Sequence, residues 1–161
     1  GFTGDLSYKG FDLNLFIYWN HGNEIFNTVK AFTETPYEQT NMVSYMLEDA
    51  WRPDNTSATI AQLGGDRQNN YARASDAYIE NGSFLRFKNI SLGYTLPNNV
   101  SKKIGIQKLR FYAALQNYFT ITKYSGRDPE LGSTWGVFVQ KADLGNYTIP
   151  KTMNFGINAT F

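Results

Sequence analysis

The chain has 161 residues, 15 Lys and Arg against 14 Asp and Glu, and no cysteine. That length suits one ordinary domain, and a formal charge of +1 gives no reason to expect nucleic acid or an anionic membrane surface as partner. Disulfide staples and thiolate metal sites are excluded, and no apolar run approaches the roughly 18 residues of a helical membrane span.

Phe2, Gly4, Leu6 and Tyr8 alternate with Thr3, Asp5 and Ser7, the period of two that marks a strand. Lys9-Gly10 supplies a two-residue turn with a glycine available for positive φ. The return strand sets Phe11, Leu13, Leu15, Ile17 and Trp19 against Asp12, Asn14, Phe16, Tyr18 and Asn20. A long irregular stretch over 22–82 follows, rich in Asn, Ser, Thr, Gly and Asp. Within it Asn41 is expected to cap a short helix through Met42, Tyr45, Met46 and Ala50, ended by Arg52-Pro53. The next strand, 84–96, changes phase: Leu85 and Phe87 agree with each other, whereas Ile90, Leu92, Tyr94 and Leu96 take the opposite parity, which a β-bulge near Lys88-Asn89 reconciles. A modest turn over 97–106 leads to Leu109, Phe111, Ala113, Leu115, Phe119 and Ile121, alternating with Arg110, Tyr112, Ala114, Gln116, Tyr118 and Thr120. A second long loop, 123–150, precedes a last strand with Met153, Phe155, Ile157, Ala159 and Phe161 on one face and Thr152, Asn154, Gly156, Asn158 and Thr160 on the other.

The connections therefore run short, long, short, long, which is the asymmetry of an outer-membrane barrel with short periplasmic turns and long extracellular loops. A connection as long as 22–82 is out of place inside a compact soluble domain, and the last strand has about the 9–11 residues that a tilted membrane-spanning strand needs. The fold class expected is all-β: an antiparallel transmembrane β-barrel segment whose apolar faces meet lipid and whose polar faces line a wet lumen. About five strands cannot close a membrane barrel, whose minimum is about 8, so the chain is expected to be one piece of something larger. The rival is a secreted soluble β-sandwich that binds carbohydrate and buries the same apolar faces.

Several segments carry a resemblance to a known family. Y-I-E-N-G-S-F-L-R-F-K-N-I-S-L-G-Y-T-L-P at 78–97, K-L-R-F-Y-A-A-L-Q-N-Y-F-T-I-T-K-Y-S-G-R-D-P-E at 108–130 and the stretch 147–161 each resemble the SusC/RagA TonB-linked outer-membrane transporters of Bacteroidetes. So do W-R-P-D-N at 51–55 and Gly22-Asn23-x-Ile25-Phe26-Asn27. The resemblance implies a barrel of roughly 22 strands around an internal plug, a SusD-like surface lipoprotein as lid, and uptake of glycans or peptides driven through TonB in the outer membrane of a Gram-negative bacterium. It implies further that this chain is the C-terminal part of the barrel, with the plug, the TonB-contacting N-terminal region and most strands absent.

No enzyme is expected. The single histidine, His21, lies at a strand end, and one His with no Cys does not make a zinc site. No cofactor is expected. Glu48-Asp49 and Asp128/Glu130 are read as solvated loop carboxylates, with loop calcium as the unsupported alternative. Trp51, Trp135 and Phe138 are loop aromatics that either pack within their own loops or contact substrate or the lid lipoprotein. Arg110, Tyr112, Gln116, Asn154 and Asn158 are expected to face the lumen. A cation facing lipid at the midplane costs roughly 2–4 kcal/mol, so Arg86, Lys88 and Arg110 should face the lumen or lie near an interface where snorkelling relieves them. Trp19, Tyr94 and Phe161 suit interfacial aromatic girdles, and Phe155 and Phe161 are expected to serve as an assembly signal.

Overall fold

The computed structural model describes residues 1–34, 41–63, 75–130 and 141–161; Trp135 and Phe138 lie outside the described residues. In chain order the strands are β1 (Phe2–Tyr8), β2 (Phe11–Asn20), β3 (Glu24–Asn27), β4 (Ile79–Asn81), β5 (Phe84–Thr95), β6 (Lys108–Thr122), β7 (Ala142–Asp143) and β8 (Thr152–Thr160). Short helices α1 (Thr28–Thr33), α2 (Tyr45–Asp49) and α3 (Asn98–Ser101) lie between them. They group into two units.

The first unit, Gly1–Asn23, Gly82–Lys123 and Thr148–Phe161, is an antiparallel sheet in the order β1-β2-β5-β6-β8. Lys9 and Gly10 both take positive φ, 47° and 89°, as the type I′ hairpin requires. Asn20, Phe84 and Thr122 lie side by side at one end of the sheet, and both long connections leave from there. The two short connections lie at the opposite end. The turn expected over 97–106 is more ordered than the sequence suggested: α3 runs into a 3-10 turn, Lys102–Ile104, closed by Gly105 in the left-handed region at φ 74°.

Register accounts for the phase change in β5. Phe16 pairs Asn89 while Ile17 pairs Phe87, so Lys88 is the extra residue of a bulge. Across the next ladder Phe87 pairs Phe119 and Asn89 pairs Gln116. β6 thus inserts both Asn117, at φ 53°, and Tyr118. Two inserted residues preserve parity, so β6 reads as unbroken in the sequence although its ladder is interrupted. The local distortion brings the rings of consecutive Tyr118 and Phe119 to 5.1 Å, which a regular strand would hold on opposite faces.

Pairing gathers the apolar phase of every strand onto one face. Leu13, Leu92, Ala113 and Phe155 form one row across four strands, and Phe11, Tyr94, Phe111 and Ile157 form the next. This face is uncovered: Ile157 is 64 % exposed, Ile121 66 % and Phe155 74 %. On the other face Arg86 and Ala114 are buried, and Gly93 with them. A soluble sandwich does the reverse, because burying Phe and Ile is what drives it to fold. The rival reading therefore fails on the distribution of burial.

The second unit, Glu24–Asn81 and Tyr124–Tyr147, corrects the expectation of irregular loops. It carries a small sheet in the order β4-β3-β7, antiparallel between β3 and β4 and parallel between β3 and β7. Its core includes Ile25, Met46, Ala50, Tyr78 and Tyr124. The expected helix is also shorter than its apolar pattern. It begins at Tyr45 after Ser44, and Asn41 does not cap it. The Val43 N–H, which a longer helix would leave at its open end, instead donates to the Thr33 carbonyl at 3.2 Å.

The two faces make a direct prediction. In the intact protein in a bilayer, spin labels at Leu115 and Phe155 are relaxed by oxygen, which concentrates in hydrocarbon. Labels at Tyr112 and Asn154 are relaxed by a water-soluble nickel chelate. The same response at all four positions would contradict the division of the sheet into an apolar and a polar face.

Candidate functional site

The polar phase of the sheet forms side-chain bonds that tie every neighbouring pair of strands. Asn14 Nδ2 donates to Asp5 Oδ1 at 2.6 Å, joining β2 to β1, and Asn89 Nδ2 donates to Asn14 Oδ1 at 2.6 Å, joining β5 to β2. Arg86 Nε donates to Thr120 Oγ1 at 2.9 Å, and Thr152 Oγ1 donates to Gln116 Oε1 at 3.2 Å, reaching β6 and β8. Lys88, released by its bulge, holds its ammonium 5.8 Å from the ring centre of Tyr18, a distance at which the ring face attracts a cation.

Arg110, on β6, reaches across one strand to Asp12 on β2. Nε donates to Oδ1 at 2.9 Å and Nη2 to Oδ2 at 2.5 Å, a bidentate fork. The strand between them is β5, and it offers Gly93 at the crossing. A Cβ there would lie 2.6 Å from both Arg110 Nε and Asp12 Oδ1. Tyr112 stacks beneath the same guanidinium at 5.2 Å, and its ring lies over Gly156, its partner on β8. Arg110, Tyr112, Gln116, Asn154 and Asn158 thus share one face, as the alternation required. The partner Asp12 and the gap at Gly93 were not anticipated, because a contact 98 residues apart leaves no periodic trace.

In the second unit, Glu80 on β4 is the centre of a compact network. Its Oε2 accepts from Ser125 N at 2.9 Å, and its Oε1 accepts from Ser125 Oγ at 2.7 Å and Asn27 Nδ2 at 3.2 Å. Lys30 Nζ stands 3.6 Å away. Asn27 also caps α1, its Oδ1 accepting from Lys30 N at 2.9 Å. Burial opposes the charge on Glu80, but the two bonds from Ser125, the bond from Asn27 and the Lys30 charge outweigh it and hold the carboxyl below its ordinary range. Nearby, Tyr124 Oη donates to Asp143 Oδ2 at 2.7 Å, and Gly145 N donates to Asp143 Oδ1 at 2.8 Å. Desolvation, then the bond to Asp143, pushes the Tyr124 hydroxyl well up. These bonds join the segment before Gly82 to the segment after Lys123, which the sequence presented as two separate loops. A cavity of about 300 Å³ opens beside them, lined in part by Asn27, Lys30, Thr33, Ser125 and Arg127.

The remaining candidates divide. Trp51 is part-exposed and donates its backbone N–H to Ile60 at 2.9 Å; nothing is described of Trp135 or Phe138. Glu48 and Asp49 are exposed, as expected. Asp128 is not: it is buried, and its Oδ1 accepts from Glu130 N at 2.9 Å, so the carboxylate shapes its own turn instead of sitting in solvent. Among the described residues no group of three or more His, Cys, Asp or Glu is placed to hold a metal ion. Trp19 and Phe155 lie on the uncovered apolar face, and Phe161 is exposed just past β8.

Two substitutions probe these arrangements. Gly93→Ala forces a methyl group into the Asp12–Arg110 fork and lowers the stability of the intact barrel by about 1–3 kcal/mol, read as a lower thermal midpoint. In an Asp12→Ala background the same change costs much less, because the guanidinium is free to move aside; strict additivity would contradict the crossing. Glu80→Gln loses charge-assisted bonds worth roughly 1.5–3 kcal/mol, so amide exchange in the peptide containing Ser125 accelerates about 10–100-fold. The depressed carboxyl adds a pH effect: its contribution is complete above the ordinary value of 4.5 and is lost as pH falls through the lower folded value. Once intrinsic exchange rates are divided out, protection of that peptide drops on acidification in the wild type and stays level in Glu80→Gln.

No family model matches the chain. Individual relatives do. TonB-dependent receptor P3 of Formosa agariphila is 34 % identical over the whole chain, which spans 16 % of that relative. TonB-dependent receptor SusC of Bacteroides thetaiotaomicron is 34 % identical over 83 % of the chain and 13 % of its own length. The RagAB peptide importer, solved in an open-open state, superimposes with a TM-score of 0.80 at 31 % identity, over 99 % of this chain and 17 % of that one. The closed-closed state gives the same TM-score. The chain thus spans about a sixth of the relatives it matches, and its open sheet is a segment of an antiparallel transmembrane β-barrel. Along its whole length the chain is homologous to one segment of the SusC/RagA-type TonB-dependent receptors.

Proposed function

We propose that the chain supplies part of the wall and part of the surface loops of a SusC-like importer in the outer membrane of a Gram-negative bacterium. The importer moves a glycan or a peptide inward without altering it chemically. It works with a SusD-like surface lipoprotein as lid and draws energy through TonB, whose contact lies in a region of the protein outside this chain. The observation that carries this reading is the inversion of the sheet, with Phe155 and Ile157 uncovered on one face and the Asp12–Arg110 fork, Asn14, Asn89 and Gln116 linked on the other. A wall with lipid on one side and water on the other needs that division.

In this reading Arg110, Tyr112, Gln116, Asn154 and Asn158 line the lumen. The Glu80–Asn27–Ser125 network stiffens the surface loops, so that Trp51 meets cargo or lid from a fixed position. Trp135 and Phe138 are proposed for the same contact. An indole suits either cargo, stacking on the apolar face of a sugar or on a peptide side chain.

The test is uptake in the organism that carries the full-length protein. Deleting its gene should abolish growth on one class of polymer, glycan or peptide, supplied as sole carbon source, and the class lost names the cargo. Trp51→Ala in the restored gene should weaken apparent affinity about tenfold, the loss expected at an aromatic anchor worth roughly 1.4 kcal/mol, with unchanged surface abundance. Undiminished growth on every glycan and peptide after deletion would contradict the assignment.

A further inference from the structure

The near-zero net charge hides a strong local segregation. No Asp or Glu occurs over residues 81–127, whereas Lys102, Lys103 and Lys108 all fall in or beside the connection from β5 to β6. Lys9, in the β1–β2 hairpin, lies at the same end of the sheet. None of these four lysines forms an ion pair with a described residue. The nearest acid on β2, Asp12, is already committed to Arg110.

The β5–β6 connection is also firmly built. Ser101 is fully buried, and its hydroxyl donates to the Asn98 and Gln107 carbonyls at 3.4 and 3.3 Å. Ile106 N donates to Ser101 O at 3.1 Å, and Gln107 N to Thr160 O at 2.8 Å, which pins the connection to β8. On this fixed turn Val100, in α3, and Ile104, at the end of the 3-10 turn, are both exposed, at 45 % and 60 %. Two exposed apolar side chains flanking Lys102 and Lys103 in the chain make an amphipathic element. It sits where the apolar sheet face ends, beyond the rings of Phe11 and Tyr94, which meet at 4.5 Å.

We infer that the β5–β6 connection is an interfacial anchor that binds the phosphate-bearing headgroups of anionic phospholipids. Val100 and Ile104 enter the acyl boundary, while Lys102, Lys103 and Lys108, with Lys9 from the neighbouring hairpin, hold the phosphates. Charge complementarity selects this occupant. A cationic cluster whose nearest acid, Asp12, is already paired with Arg110, at the rim of a lipid-facing sheet, attracts an anionic leaflet by about 1 kcal/mol per lysine near the surface, roughly fivefold each. A second protein with an acidic surface would answer to the charges but would leave no lipid contact at Ile104.

The inference rests on the sheet spanning a bilayer, so its test carries a control for that. A fluorophore is placed at Ile104→Cys or, separately, at Phe155→Cys in the full-length transporter, which is reconstituted in vesicles of phosphatidylcholine containing phosphatidylglycerol. Either lipid in turn carries bromine on its acyl chains. The label at 155 should be quenched by both. The label at 104 should be quenched at least several-fold more effectively by brominated phosphatidylglycerol than by brominated phosphatidylcholine. That preference should disappear when Lys102, Lys103 and Lys108 are all changed to Gln, and it should shrink in high salt. Equal quenching at 104 by the two lipids overturns the headgroup preference. Quenching at 155 with none at 104 overturns the anchor while leaving the barrel intact, and no quenching at either position overturns the spanning reading as well.

Discussion

Hydrocarbon cannot hydrogen-bond a peptide group, and each backbone N–H or C=O left unpaired there costs several kcal/mol. The architecture of the sheet depends on that constraint. Between β1 and β8 every strand is paired on both sides, whereas among the described residues β1 and β8 are paired on one side only. Together with an uncovered face that includes Phe111, Met153, Phe155 and Ile157, these two edges define a surface complete only within a closed barrel surrounded by lipid. The match to one sixth of much longer receptors is the same constraint seen from outside: the closing strands belong to the rest of those proteins.

A wall that meets lipid on one side must place its polar chemistry on the other, and the strand period of two does this automatically. What the period does not decide is how the polar side chains satisfy one another. Here small and bulged positions provide the room. Gly93 lets Arg110 cross β5 to Asp12, Gly156 takes the ring of Tyr112, and the bulge at Lys88 turns that ammonium toward Tyr18. The second unit uses a different means. Glu80, held ionised by Ser125, Asn27 and Lys30, joins two chain segments that periodicity alone treated as free loops.

The sequence was informative where structure is periodic. The strands of the main sheet, the hairpin at Lys9-Gly10, the bulge near Lys88-Asn89 and the shared face of Arg110, Tyr112, Gln116, Asn154 and Asn158 all follow from parity. Parity also concealed the second distortion, because Asn117 and Tyr118 add two residues to β6 and restore the alternation. The loop unit was illegible for a related reason: β3, β4 and β7 have four, three and two residues, too few for a period, and their pairings are distant in the chain. Asp128 was misread because an acidic residue in a polar loop looks solvated until its bond to the Glu130 amide is seen. The interval 81–127, free of acids, was averaged away by the near-neutral composition.

With one apolar face uncovered and two edges unpaired among the described residues, this sheet is expected to have no folded state of its own in water. Expression of residues 1–161 without detergent and without the remaining strands tests it most directly, with size-exclusion chromatography and thermal unfolding as the readout. The exposed apolar face and the two open edges predict aggregation, or a species that never melts cooperatively. A monodisperse monomer with a single cooperative unfolding transition would contradict the account.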